Sequence, residues 1–573
     1  MHKSGRLLTL LAALALAGCT TTAPPPETAA APPASAPAGV VSSADPRASE
    51  AGAQMLRQGG SATDAAIAVM LALTVVEPQS SGIGGGGFYV RGNEAGEVVS
   101  LDGRETAPAA ATPDWFLDTD GKPLPYGEAV LAGLSIGVPG NVRLAQEAHA
   151  KYGKLDWADL FAPAIALARE GWQVTPRFHT YLGIAKSRAA ATEAGRALFY
   201  DPAGEPLPVG TMVSNPALAD TLEMLAQGGP DVFYEGAWAD GLAATAAAAT
   251  PGDAVLRADD LASYSAVWRP SPCGTYRQYR ICGMGPPSSG ATTVYAVLKQ
   301  LEGHDLAALG PESPIFWHLF AESQRLAYAD RELYLGDSDF VSVPVSGLMD
   351  GDYLHARGTA ISTNATMAPP EAGNPPGAPP ALAQGEGPEE GGTSHFVVVD
   401  DNGNAVSWTS TVEGPFGSGQ TYGGFYLNNE LTDFSFVPEK NGRPVANRVE
   451  GGKRPRSSMS PSLVYDENGM LVLAIGAAGG TTIPVQVAKA LIGVLDFGLP
   501  AQEAIALPGL FSPGDTIYLE PDTSLSAMQS QLEALGHKVS SRRLPFKANA
   551  AQLVGDNWTG AADPRSEGAP AYP

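Results

Sequence analysis

The sequence predicts a layered α+β fold, with helices outside packed β-sheets in an αββα arrangement. Three features of the chain point to it. Residues before about 368 are helix-rich with scattered strands, and residues from Thr393 onward are strand-rich. Between them, Ala368–Gly392 is dense in Pro, Gly and Glu and has no periodicity, which reads as an exposed, mobile segment. With 573 residues, 44% apolar and 17% charged, the composition is globular and allows one large core or two ordinary ones.

The first residues read as a targeting segment. Lys3 and Arg6 precede an apolar run, Leu7–Ala17, too short to span a bilayer, which ends in Leu16-Ala17-Gly18-Cys19. That ending resembles the lipobox of bacterial lipoproteins. It implies a signal peptide over 1–18, a lipidated Cys19, a Thr/Ala/Pro-rich tether over 19–39, and a place on the periplasmic side of a bacterial envelope. An ordinary signal peptide with a chance cysteine is the alternative. The formal net charge of −25 argues against a nucleic-acid partner, since no basic stripe is available for phosphates. It leaves open a small anionic substrate held by one well-placed arginine.

The elements then follow in order. Val40–Ser43 reads as a strand. Pro46 opens a helix that stops at Gly59-Gly60. Ser61 and Asp64 stand at capping-box spacing before an almost wholly apolar, and therefore buried, helix from Ala65 to Val76. Gly82–Gly87 formally satisfies G-x-G-x-x-G, but an apolar helix precedes it and a strand follows, the reverse of a dinucleotide site; a close-packed turn is the better reading. Asn141–Trp172 has helical periodicity broken at Tyr152-Gly153, and a long helix spans about Pro314–Leu333. Cys273 and Cys282 bracket GTYRQYRI, which alternates like two short strands around a turn. An oxidising compartment would allow a disulfide there; two reduced thiols are the alternative. After Thr393 come a strand, a turn at Asp401–Asn404, a strand over Ala405–Val412, a strand over Leu471–Ile475 running into a glycine turn, and a helix over Ile483–Phe497.

Neither metal-ligand spacing among the eight histidines nor a G-x-S-x-G motif is present, so no zinc or Ser-His-Asp chemistry is indicated. Gly391-Gly392-Thr393 offers different chemistry. A hydroxyl is a weak nucleophile and needs a base. If the bond before Thr393 were cut, its new α-amine, with a reference pKa of about 7.7–8, would sit on the same residue as the hydroxyl. Gly392 would leave room for Oγ to reach the carbonyl and permit backbone strain.

The surrounding motifs extend this. TSHFVVVDDNGNAVSWTST, YLNNELTDF, KRPRSSMSPS and GAAGG occur in that order. Upstream stand SADPRASEAGAQMLRQGGSATDAAIAV, EPQSSGIGGGGF, DGRETAP, GVPGNV, GPPSSGATT and ADRELYLGDSDF, and ADPRS stands near the C-terminus. Over roughly Val40–Ser566 the chain resembles the γ-glutamyltransferases, N-terminal-nucleophile (Ntn) hydrolases. The resemblance implies a four-layer αββα Ntn sandwich built jointly by a large subunit, 40–392, and a small one, 393–573, which form a heterodimer. Thr393 matches the nucleophile and processing site, Thr411 the threonine that hydrogen-bonds it, and Gly479 and Gly480 the oxyanion pair. Arg104 matches the arginine for the substrate α-carboxylate, supported by Ser457 and Ser458. Glu413, Glu430 and Asp433 match the acceptors of the α-ammonium.

The implied activity is autocatalytic cleavage before Thr393. Transfer of γ-glutamyl groups from glutathione-like donors to water, amino acids or peptides follows, with no metal or organic cofactor. Three departures stand out: Ala477-Ala478 replaces the usual Ser-Pro, Glu413 stands where some members have Asn, and the 433–453 segment, where some carry a lid, is of intermediate length. Two other readings remain: a glutaryl- or cephalosporin-type acylase on the same fold, and an unprocessed envelope lipoprotein without catalysis.

Overall fold

Two antiparallel sheets carry the fold in the computed structural model, which describes residues 39–250, 256–385 and 391–573. Cys19, the signal segment and the tether up to residue 38 lie outside the described residues. The sheet strands, in chain order, are β1 (Val40–Ser43), β2 (Gly86–Gly92), β3 (Val98–Gly103), β4 (Val267–Arg269), β5 (Cys273–Tyr276), β6 (Tyr279–Gly283), β7 (Gly392–Val399) and β8 (Ala405–Glu413). They continue with β9 (Ser462–Tyr465), β10 (Leu471–Ala478), β11 (Lys547–Val554), β12 (Asn557–Ala562) and β13 (Ala569–Ala571). The first sheet runs β13-β1-β7-β8-β2-β3-β4 and the second β12-β11-β10-β9-β6-β5.

Side-chain alternation on β7 sets the layers, because successive residues of a strand point to opposite faces. Phe396 and Val398 join the cluster formed with helices α1 (Pro46–Arg57) and α2 (Ala62–Val76). Val397 and Val399 join the other cluster, with Leu463, Leu473 and Ile475 of the second sheet. Beyond that sheet pack α6 (Gly290–Leu301), α7 (Pro314–Tyr334) and α8 (Ile483–Leu495). On the outer side of the first sheet, α3 (Asn141–Tyr152), α4 (Ala162–Glu170) and α5 (Pro176–Ile184) join the same cluster as α1 and α2. The order helix, sheet, sheet, helix gives the four layers.

The helix signals have their expected structural causes. Asp45 caps α1, and Ser61 and Asp64 form a reciprocal capping box on α2. Helix α2 is buried along its whole length, as an all-round apolar helix must be. The break at Tyr152-Gly153 separates α3 from a 3-10 turn and α4. In the glycine run 82–87, a Cβ on Gly85 would overlap the Thr411 carbonyl, and one on Gly87 would lie 2.6 Å from the Thr409 carbonyl oxygen. Glycine here lets β2 press against β8. A disulfide joins Cys273 and Cys282, directly paired across the β5–β6 hairpin.

Residues 368–385 form neither helix nor strand and are largely exposed. They are nonetheless tied down: Gly373 N–H donates to Asp330 and Gly385 N–H to the Glu332 carbonyl. Among the described residues no helix is long and apolar enough to cross a membrane.

Candidate active site

Strand β7 starts at Gly392 and pairs with β8 so that Thr393 lies opposite Thr411. Their Oγ1 atoms are 3.1 Å apart. Thr411 Oγ1 donates to the Gly392 carbonyl at 3.0 Å and accepts the Glu413 N–H at 2.8 Å. A threonine hydroxyl has one proton. Given to the Gly392 oxygen, it leaves Thr411 able to accept from Thr393. One side chain thus draws on the nucleophile's proton and polarises the carbonyl that the nucleophile would attack.

A register shift between Thr411 and Glu413 lets the strand bulge there, and Glu413 adopts φ 76°. A non-glycine residue in that region stores on the order of 1 kcal/mol. Gly392 differs from the expectation of strain. It is ordinary strand backbone, and glycine is required because a Cβ would lie 2.6 Å from the Glu413 carbonyl oxygen.

The substrate residues named from sequence converge. Arg104, Glu413, Glu430, Asp433, Ser457, Ser458, Thr411 and Gly480 line one cavity with Thr393. Its volume is about 20 Å³, room for a water molecule and not for a glutamyl group. No residue from 434 to 456 lines it; that stretch folds back through the short hairpin Glu439–Lys440/Arg443–Pro444.

The guanidinium of Arg104, 1% exposed, pairs with Glu430 and with Asp433 Oδ2, and donates to the Pro455 and Arg456 carbonyls. Burial works against its charge, but Glu430 and Asp433 outweigh it and hold Arg104 protonated. The groups expected to bind the two ends of a glutamyl zwitterion therefore bind each other here.

Several positioning residues are additional to those read from sequence. Asn429 Nδ2 donates to Glu413 Oε2, and Asn428 Oδ1 accepts the Glu430 N–H. Arg331 of α7 donates to Ser458 Oγ at 2.6 Å and to Ser289 Oγ at 3.0 Å. Ser289 in turn holds the Ser457 carbonyl. Behind Arg104, Glu105 is fully buried and neither of its oxygens meets a hydrogen-bond donor. Burial pushes its carboxyl up to about 7, against the pull of Arg104, and pushes Glu430 up in the same direction. Each of these two neighbouring carboxylates also disfavours ionisation of the other.

Gly479 (φ 131°) and Gly480 (φ 59°) both need glycine. Gly480 lines the cavity, while Gly479 packs against the Pro545 carbonyl. The Ala477-Ala478 departure is braced by side chains. Gln486 Nε2 donates to the Ala478 carbonyl at 2.7 Å, and Thr482 Oγ1 to the Gly479 carbonyl at 2.8 Å.

On the other side of β7, Ser394 Oγ donates to Glu77 Oε2 at 2.5 Å. Lys547 Nζ donates to the same oxygen at 2.9 Å and lies 3.3 Å from Ser394 Oγ. His395 is held neutral, its pKa lowered to about 3 by burial, and lies 2.9 Å from Thr409 Oγ1. It does not reach the nucleophile in this arrangement. Among the described residues no cluster of three His, Cys, Asp or Glu could hold a metal ion.

Two facing antiparallel sheets between helical layers, with a threonine at the head of a central strand, define the class: an N-terminal-nucleophile hydrolase. A sequence profile described as Gamma-glutamyltranspeptidase matches residues 48–572, and the chain belongs to that family. It is similar to the glutathione hydrolase proenzyme of Bacillus subtilis (strain 168), 36% identical over 544 residues covering 93% of this chain and 91% of that one. The glutathione hydrolase proenzyme of Escherichia coli (strain K12) is likewise 36% identical, over 539 residues, 92% of this chain and 90% of that one. Among solved structures, the cephalosporin acylase from Bacillus halodurans superposes with a TM-score of 0.81 at 27% identity, covering 94% of this chain and 96% of that one.

Proposed function

We propose that the chain is a proenzyme that cuts itself between Gly392 and Thr393 and then works as a glutathione hydrolase and γ-glutamyltransferase. The supporting observation is the three-atom path from Thr393 Oγ1 through Thr411 Oγ1 to the Gly392 oxygen. In maturation Thr393 Oγ attacks the Gly392 carbonyl carbon while its proton passes toward Thr411, whose own proton moves to the carbonyl oxygen. Collapse passes that proton from the C–OH to the departing nitrogen, breaks the C–N bond and frees the Thr393 amine, leaving an ester. Water hydrolyses the ester to give residues up to 392 as the large subunit and 393–573 as the small one.

In turnover the freed amine takes the Oγ proton as Thr393 attacks the γ-carbonyl carbon of the donor. The tetrahedral oxyanion forms beside Gly479-Gly480, the amine's proton goes to the leaving group, and a γ-glutamyl ester remains. Water, an amino acid or a peptide then attacks that ester and the steps reverse. Arg104 with Ser457 and Ser458 would take the α-carboxylate, and Glu413, Glu430 and Asp433 the α-ammonium, exchanging their present contacts for the ligand's. No cofactor enters these steps. We further propose that Cys19 is lipidated and that the tether over 19–39 holds the enzyme on the periplasmic side of a membrane.

The likeness to a cephalosporin acylase raises one other substrate class, amides with a glutaryl side chain. The three carboxylates argue against it, because a glutaryl group has no amine for them. Purified protein should show a fragment beginning at Thr393 by mass spectrometry and should hydrolyse γ-glutamyl-p-nitroanilide in preference to glutaryl-p-nitroanilide. A single full-length band that still turns over γ-glutamyl amides would end this reading.

A further inference from the structure

The pair formed by Glu77 and Lys547 has no part in the chemistry above, yet it touches the residue next to the nucleophile. Both side chains are buried, Lys547 to 1% exposure. Glu77 follows the last turn of α2 and Lys547 opens β11, so they meet across 470 positions of sequence. Taking two ions out of water costs several kcal/mol each, and an apolar pair would pack there at less expense. A buried ion pair at this place therefore calls for a reason.

Glu77 has a clear one. Its Oε2 accepts from Ser394 Oγ at 2.5 Å, which fixes the backbone beside Thr393. The fixation has an electrostatic consequence. Once the chain is cut, Thr393 carries an amine that must be unprotonated to act as a base, and an uncompensated carboxylate one residue away would favour its ammonium form. Lys547 Nζ, 2.9 Å from the same carboxylate oxygen and 3.3 Å from Ser394 Oγ, cancels that field.

Resting on the assignment of Thr393 as nucleophile, we propose that Lys547 is a positioning residue for catalysis: it neutralises Glu77 so that the Thr393 amine stays a free base near neutral pH. The other charged groups around the amine are accounted for. Arg104, Glu413, Glu430 and Asp433 line the cavity on the substrate side. Behind Glu77, Arg177 Nε is 3.9 Å from Oε1, and His395 farther along the strand is neutral. Lys547 itself is held near its titration range: burial pulls it down to about 8, with Glu77 opposing. Without Glu77 it would lose its proton more readily still.

The test is the acid limb of kcat against pH for γ-glutamyl-p-nitroanilide hydrolysis by matured protein. Lys547→Met leaves Glu77 with only the longer contact to Arg177 and should move the limb upward by about one pH unit, the size of a poorly balanced charge acting in a partly screened interior. Glu77→Gln should leave the limb at or below its original position. The double variant Lys547→Met/Glu77→Gln should restore it, which a merely structural role for Lys547 would not do.

An unmoved limb in Lys547→Met, or a double variant shifted as far as the single, overturns the proposal. If Lys547→Met does not mature, Glu77→Gln and the double variant decide: a limb above the original in either overturns it, and limbs at or below it in both support it. Thr393→Ala separates the two readings. Turnover surviving there removes the nucleophile assignment and this proposal together, whereas lost turnover with an unshifted Lys547→Met limb removes only the proposal.

Discussion

The two sides of the strand that begins at Gly392 hold buried charge in opposite ways. On the cavity side, Arg104 faces Glu430 and Asp433, with Glu413 and Glu105 close by, so acid outnumbers base. On the far side, Glu77 and Lys547 match one for one, with Arg177 at the edge. An excess of buried carboxylate is tolerable only with a shared proton or with a cation still to arrive. A ligand ammonium would be that cation. On the far side the Glu77 carboxylate already has its cation in Lys547. Imbalance marks the surface meant to bind, and balance the surface meant to hold still.

The harshest way to break this comparison is at the residue both sides share. Thr393→Ala should abolish maturation, seen as a single full-length band, and reduce turnover by at least about a thousandfold. On the far side, Lys547→Met should lower stability by roughly 3 kcal/mol in denaturant unfolding, because it strands a buried carboxylate, while the double variant with Glu77→Gln should recover most of the loss. On the cavity side, Glu430→Gln should lower kcat/KM for γ-glutamyl-p-nitroanilide by about 10–100-fold, the loss of one charge-assisted hydrogen bond. The same change should leave the poor glutaryl analogue nearly unaffected.

The smallest effect is expected at Glu105. Its folded-state pKa is raised to about 7, so the folded protein favours the protonated acid. The stability this proton contributes is fully present below the unfolded value of about 4.3 and is lost as pH rises through 7. Glu105→Gln should therefore gain stability at pH 8 and almost none at pH 4, read from thermal or denaturant midpoints.

Sequence made the cavity side legible and left the far side dark. Thr393, Thr411, Gly480, Arg104 and the acidic trio stand in contiguous motifs, and they meet in one cavity. The capping box at Ser61 and the Pro46 start were equally readable, because caps depend on neighbours within one turn. Lys547 has no local partner: its significance comes from Glu77, Ser80 and Ser394, all more than 150 positions away. Arg331 acts in the same way, through Ser458, 127 positions along the chain. Gly392 was read for room at its own carbonyl and for strain, whereas the structure requires glycine there because a Cβ would meet Glu413 and Gly414 of the paired segment, a clash that leaves no trace in local sequence.

The order of strands in the first sheet carries one more consequence. Pieces of chain from before and after residue 392 alternate there: β13, then β1, then β7 and β8, then β2 through β4. The second sheet joins β9 to β6 across the same divide. Severing the backbone at the head of β7 would therefore produce two polypeptides woven through a common fabric. Dilution alone could not part them without unzipping both ladders, and neither, made separately, would contain a whole sheet to fold around.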